Sequence, residues 1–405
     1  MRKMEAKNAV KRDFKVSILA FLLTLYGAAQ IVFPLSPYIF YTNLLNLILI
    51  AYYFLLTLLD ENRKFYINDV VIAYALFGFF AISSVFWTVD PVTSGNKAKT
   101  LFLLIINNFV IYNIFKRFDI GNAFLNGIIL GAVVNYLLAF DLIHIPMETY
   151  LGYRFFGTMG NPNGLSIAMV MTVGASIIYL EQDIDKKYKI LIAINLMLAL
   201  YMIVLTVSRT GLVLGFFLFF VYVLTLLTDF RKIGYFFAGL IPFGIYLHFF
   251  ADMQKITEYL NNVFLRLANV FNTLSGADME KSTLERKEYI ERGLEFFSNH
   301  PFKGIGIDTF RYYYGGYSHN NFVELLLGVG IIGEVLYYSI YGLLFYKIFK
   351  MDRKNLKIYL FSITLALFAM DMGTVSYYDK LTLLMLIYIS YLAEKYQKIE
   401  KVKSV

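Results

Sequence analysis

Blocks of about twenty predominantly apolar residues recur along this chain, each long enough to cross ~30 Å of hydrocarbon as a helix. In lipid every backbone N–H and C=O must find an internal partner, which leaves only helices and closed barrels as spanning structures. Strands of a barrel alternate apolar and polar residues, whereas these blocks are continuously apolar. Hydrophobic residues make up 59% of the 405 residues and charged ones 16%, far from the usual soluble balance. The expected fold class is therefore all-α, a polytopic membrane protein with about twelve transmembrane helices.

The spans are expected over 16–35, 38–59, 68–88, 98–115, 121–142, 163–181, 188–207, 210–228, 233–250, 320–347, 357–375 and 380–394. Residues 1–250 would carry helices one to nine, 251–318 a long loop, and 319–405 helices ten to twelve with a tail, in one integral membrane domain. The first apolar block lacks a small-residue cleavage site before the next span, so it reads as an uncleaved span rather than a signal peptide. There are no cysteines, which removes disulfides, thiolate chemistry and Cys-based metal sites. No inverted repeat of the kind many transporters show is visible.

Charge sets the expected orientation. The short connections on one side, together with both tails, hold 24 of the 37 Lys and Arg; the short loops opposite hold only Lys97, Lys99, Arg154, Arg209 and Lys380. By the positive-inside rule both termini are expected to be cytoplasmic and the long loop external. The formal net charge of +8 is then an orientation signal and a contact with anionic lipid, not a nucleic-acid surface.

Segment 251–318 is too long for a plain connector. Met253, Ile256, Leu260, Val263, Leu267, Val270 and Leu274 recur at helical spacing, which predicts an amphipathic helix that Ser275-Gly276 stops. Ser282 and Glu285 read as a capping box opening a second helix, with Ile290, Leu294 and Phe297 on its apolar side, and His300-Pro301 ends it. Such helices can lie on the outer leaflet or roof a cavity. A packed cap without a catalytic part explains the first equally well, whereas the second leads straight towards His319.

Three helix starts fall on the external side. Arg154 precedes Gly160-Asn161-Pro162-Asn163-Gly164, where Asn161 suits an N-cap and Pro162 the first helical position. Arg209 lies in Ser208-Arg209-Thr210-Gly211, and His319 lies in Ser318-His319-Asn320 before the tenth span. Helix N-termini present partial positive charge and unpaired N–H groups. Arginines beside them suit phosphate, which a guanidinium grips with two donors. One such arginine snorkels to lipid headgroups as readily; two on a side otherwise poor in basic residues favour a bound anion. Arg286, in the loop, is a third candidate.

A lone histidine at a membrane boundary is more often structural than catalytic. At a helix N-terminus, however, imidazolium is disfavoured, which keeps the ring neutral and able to take a proton. His319 is thus the candidate base, with Asn161, Asn163, Asn320 and Glu324 as candidate substrate contacts. Glu324 and Glu334 fall inside the tenth span, where a carboxylate is costly without a partner. His144, His248 and His300 read as structural. Gly304-Ile305-Gly306 lacks the third glycine of a dinucleotide loop, and no acidic or His cluster suggests a metal. Most Tyr and Phe read as interface belts and packing, although Tyr312, Tyr313, Tyr314 and Tyr317 could stack on sugars.

Arg154 with Gly157 and Asn161-Pro162-Asn163, Ser208-Arg209-Thr210-Gly211, and the run from Pro301-Phe302-Lys303-Gly304-Ile305-Gly306 through His319-Asn320 to Gly330-Ile331-Ile332-Gly333 together resemble the O-antigen ligase and polymerase family, over roughly residues 150–340. The resemblance implies a GT-C-type membrane glycosyltransferase acting on undecaprenyl-diphosphate-linked oligosaccharide, with a glycan or glycolipid acceptor and neither metal nor cofactor. It implies that Arg154, Arg209 and Arg286 hold the diphosphate and that His319 activates the acceptor hydroxyl. The expected setting is a bacterial inner or plasma membrane, the site on its external face, with the bilayer and other polysaccharide assembly proteins as partners and no nucleic acid. Polymerase is preferred to ligase, though no single residue decides it. A flippase or exporter of the same glycolipid is the alternative of another class; it should show polar residues through the midplane of several spans, whereas here the charged candidates cluster at the outer edge.

Overall fold

The computed structural model describes residues 2–226, apart from 36, 61 and 62, and residues 281–397, with single positions between 233 and 265. The span expected over 233–250, His248 and the amphipathic helix from Met253 to Leu274 fall outside the described stretches. The described chain is a polytopic all-α membrane protein. Among the described residues nine helices are long and apolar enough to cross a bilayer, and two short strands pair as a hairpin.

The chain divides into two compact units, residues 1–66 with 113–266, and residues 67–112 with 267–405. In the first lie α1 (Arg2–Val32), α2 (Ile39–Leu58), α5 (Asn122–Ala139), strands β1 (Tyr150–Leu151) and β2 (Arg154–Phe155), α6 (Pro162–Glu181), α7 (Lys186–Thr206) and α8 (Arg209–Leu226). In the second lie α3 (Asp69–Ser83), α9 (Lys281–Asn299), the short α10 (Phe310–Tyr314), α11 (Asn321–Phe349), α12 (Lys354–Met370) and α13 (Lys380–Lys395). Helix α4 (Pro91–Phe118) begins in the second unit and ends in the first.

Many of these helices open on a side-chain cap, which satisfies an otherwise orphaned N–H at each start. Asn68 accepts from the amides of Val70 and Val71, Asp90 from Val92 and Thr93, Asn161 from Asn163, Asp185 from Lys187, Asn320 from Val323 and Asp379 from Thr382. The Asp90 cap, with Pro91 at the first helical position, starts α4 seven residues before the position 98 expected from hydropathy. Lys97 and Lys99 are therefore inside the helix rather than in a loop. At the other end of the chain, α12 stops at Met370 rather than continuing to 375. Residues 371–379 instead form a polar turn that receives bonds from the start of α11.

The first unit is built on close helix contact. Gly27 of α1 faces Gly127 of α5, and Gly131 lies against Ala28 and Ile31, leaving no room for side chains. Small residues four apart on α5 let the two backbones meet, the usual route to tight packing without a hydrophobic driving force. Helix α6 is buried along nearly its whole length and packs against α7 and α8.

The second unit centres on α11, which packs against α3 and α9. Gly293 of α9 touches Val323, where any larger side chain would collide. Helix α11 is broken at Gly330, whose φ of 64° departs from the helix. Segment 301–306 supplies backbone partners at the break: Ile305 and Gly306 amides donate to the carbonyls of Leu327 and Gly328 (both 2.9 Å), and Ile331 and Ile332 amides donate to those of Pro301 and Phe302 (2.9 and 3.3 Å). Non-helical backbone at membrane depth survives only where protein or water satisfies it. Gly304 and Gly330, both at positive φ, press against the opposite backbone where a Cβ would not fit.

Candidate functional site

The candidate residues fall into two groups, one in each unit. In the first unit Arg154 stands on β2, beside buried Phe155. The chain then turns through Gly157 (φ 51°), and Thr158 is pinned by the carbonyl of Ile31 at 2.7 Å and by Asn135. Gly160, also at positive φ, leads into the Asn161 cap and Pro162. Arg154 donates through Nε to the carbonyl of Thr206 at 2.9 Å and through Nη2 to Oδ1 of Asn163 at 3.1 Å.

Thr206 is the last residue of α7. Val207 follows in the left-handed region (φ 48°), a conformation unfavourable for a β-branched residue. Buried Ser208 accepts from the Gly211 amide at 3.5 Å, and Arg209 is the first residue of α8. Gly211 leaves no space for a Cβ against Ser166, so the first turns of α6 and α8 touch. Arg154, Asn161, Asn163 and Arg209 are thus brought to one end of the first unit, on two helix N-termini. Such an end attracts anions through its free N–H groups and dipoles.

In the second unit His319 is itself left-handed, at φ 56°. Its neighbours fix it from both sides. The Ser318 amide donates to Oε2 of Glu324 at 2.9 Å, the Ser318 hydroxyl donates to the Asn320 carbonyl at 2.7 Å, and the Asn320 amide donates back to the Ser318 hydroxyl at 3.2 Å. Asn320 caps α11, and Asn321 ties that start to the 371–377 turn through the carbonyl and carboxylate of Asp371 and the amides of Ser376 and Tyr377. The rings of Tyr317 and His319 lie 4.2 Å apart between centroids.

Burial pushes the His319 imidazole below its ordinary pKa, and the positive charge of Arg286 adds to this; Glu285 opposes both. The loop helix expected to open at Ser282 runs from Lys281 to Asn299, and it brings Arg286 into the electrostatic neighbourhood of the histidine. Glu324 is buried, 3% exposed, and its carboxylate accepts the Ser318 amide. His144 and His300, by contrast, are exposed.

Two further charged residues lie in the same unit. Lys97 of α4 pairs with Asp308 at 3.5 Å, their side chains only 11% and 7% exposed. Burial raises the pKa of Asp308 against the pull of Lys97. Neither residue stood out in the sequence: Lys97 served only as a mark of orientation, and Asp308 sits in a plain loop. The usable signal was Asp90-Pro91, which starts the helix early enough to take Lys97 inside it. Among the described residues, no group of three or more His, Asp or Glu is placed to hold a metal ion.

Residues 194–338 match the model of a family described as O-antigen ligase. That segment is similar to the O-antigen ligase family, and the match covers less than half of the chain. Within the matched segment lie Arg209, Arg286, His319, Asn320 and Glu324, together with the break at Gly330. Arg154, Asn161 and Asn163 precede the matched segment, although the sequence resemblance reaches back to about 150. No curated protein matches the chain.

Proposed function

We propose that the protein is a membrane glycosyltransferase that polymerises glycan units carried on undecaprenyl diphosphate. Arg154 and Arg209 bind the diphosphate of the donor, and Arg286 is a third cation for it. Asn161, Asn163 and Asn320 contribute polar contacts to the substrates. His319 takes the proton from the acceptor hydroxyl. The hydroxyl oxygen forms the new bond to the anomeric carbon, while the bond from that carbon to the diphosphate oxygen breaks and the diphosphate leaves with the electron pair. Direct attack inverts the anomeric carbon. Arginines perform the charge stabilisation that a metal supplies elsewhere, and the base contributes at the acceptor.

The observation that carries this proposal is the setting of His319. It is a left-handed residue between the hydrogen-bonded Ser318 and Asn320, and its burial and cationic neighbour favour the neutral ring a base needs. Backbone strain of this kind persists where the surroundings over-determine it. The concentration of basic residues on one side supports cytoplasmic termini and an external site.

The test is reconstitution of purified protein in liposomes with lipid-linked glycan extracted from the producing organism, without added metal or nucleotide. A ladder of lengthened glycans is the result expected of a polymerase. Transfer only to a lipid A core would make the protein a ligase, and glycan crossing the bilayer unchanged would overturn the transferase assignment.

A further inference from the structure

The Lys97–Asp308 pair is poorly explained as a stabilising device. At 3.5 Å with both side chains buried, the attraction repays little of the cost of desolvating two charges, and an apolar pair of similar volume would serve stability as well. Its geometry is also incomplete. The second oxygen of Asp308 is buried without a hydrogen-bond partner, and Asp308 is held at a φ of 62°. The Lys97 ammonium lies 3.2 Å from the centroid of the Tyr378 ring, a cation–π contact that helps keep a desolvated charge in place.

The third charge supplies the missing reason. Glu324 interacts electrostatically with both Lys97 and Asp308, so two buried carboxyl groups share the Lys97 ammonium, while the Arg311 guanidinium also acts on Lys97 and Asp308. Asp90, Arg311, Tyr317, Tyr377 and Tyr378 are further titratable groups around this cluster. Glu324 is also the acceptor for the Ser318 amide, one residue before the left-handed His319. The loop that carries Asp308 is pinned beside it: the Ile307 amide donates to Ser84 at 2.9 Å, and Ser94 donates to the Ile307 carbonyl at 2.6 Å.

We infer that Lys97 is a positioning residue: paired with Asp308 and set against Glu324, it keeps the Glu324 carboxylate on the Ser318 amide and thereby fixes the backbone at His319. Without the ammonium, two buried carboxylates repel each other, and Glu324 is the one whose displacement releases Ser318. Lys97 touches no reacting atom in this scheme. The inference rests on His319 being the base proposed above.

The test uses the full-length protein in liposomes, with Lys97→Met, Asp308→Asn and the double exchange Lys97→Asp/Asp308→Lys. With extracted lipid-linked glycan, Lys97→Met lowers kcat on the order of 10–100-fold, the scale of a slightly misplaced catalytic group, while KM for the donor stays within about twofold. The double exchange recovers most of the loss. In parallel, amide hydrogen exchange of the peptide spanning Ser318 to Asn321 speeds up in Lys97→Met and returns towards the wild-type rate in the double exchange, while peptides of α6 do not change. If Lys97→Met does not fold, Asp308→Asn is read by the same measurements. Unchanged exchange at Ser318–Asn321 overturns the positioning role whatever the activity. A wild-type kcat in a folded Lys97→Met protein overturns it equally. An inactive wild-type protein with the exchange effect intact overturns the transferase proposal instead.

Discussion

The two groups of candidate residues are held by different physics. In the first unit, Arg154 is oriented by a backbone carbonyl and an amide, at helix ends packed through Gly211 against Ser166. In the second, His319 sits on a strained turn whose anchor is the buried Glu324 carboxyl, next to the Lys97–Asp308 pair. A guanidinium is charged at every accessible pH, so it needs only aiming. An imidazole proposed as a base must be both aimed and kept neutral, and the surroundings of His319 suit both needs through position, burial and field.

That contrast predicts different responses to substitution. The largest belongs to His319→Ala, which should lower transfer in the liposome assay by about 10²–10⁴-fold, the range of a general base; full activity would remove the histidine from the chemistry. Next come Arg154→Ala and Arg209→Ala, each expected to cost about 10²–10³-fold, as loss of one charge-stabilising donor does. Arg154→Lys should recover only part of this, because an ammonium cannot reproduce a planar fork reaching Thr206 and Asn163 together. Complete recovery by lysine would mean that only charge matters there and would weaken the contrast.

A smaller effect concerns pH. As the proposed base, His319 must be neutral to accept a proton, and its pKa is held below the ordinary 6.5 by burial and by Arg286. Activity should therefore fall only as pH drops through that lowered value. Arg286→Gln removes the nearby positive charge, so the pKa rises and the acid limb of the kcat profile moves to higher pH. A limb that stays in place would show that Arg286 does not act on the base. The smallest effect is Asn161→Ala, a lost N-cap worth about 1 kcal/mol, visible as a modest fall in thermal stability. A loss of donor binding larger than the stability change would instead assign Asn161 to substrate contact.

The spans were legible because hydropathy and helix length leave few alternatives in a bilayer, and Asn161-Pro162 announced its helix start with a local cap. The boundaries of α4 and α12 were less legible. Hydropathy places the edge of a span where charge begins, yet Lys97 lies inside α4 because its charge is met by residues more than two hundred positions away. Helix α12 ends before its apolar run does because Asp371 bonds the start of α11. The hairpin that presents Arg154 left no periodic trace, since two-residue strands are too short to show one. His319, Arg154 and Arg209 could be singled out from their places at helix starts, whereas Asp308 and Lys97 gain meaning only through each other.

The break in α11 bears on how the protein is made. A span with freed amides and carbonyls at Gly330 would be costly if it met lipid before its partners arrived. Segment 301–306 precedes α11 in the chain, so it has already been synthesised when the break emerges. The order of residues along the polypeptide thus makes those partners available as soon as the interrupted helix is complete.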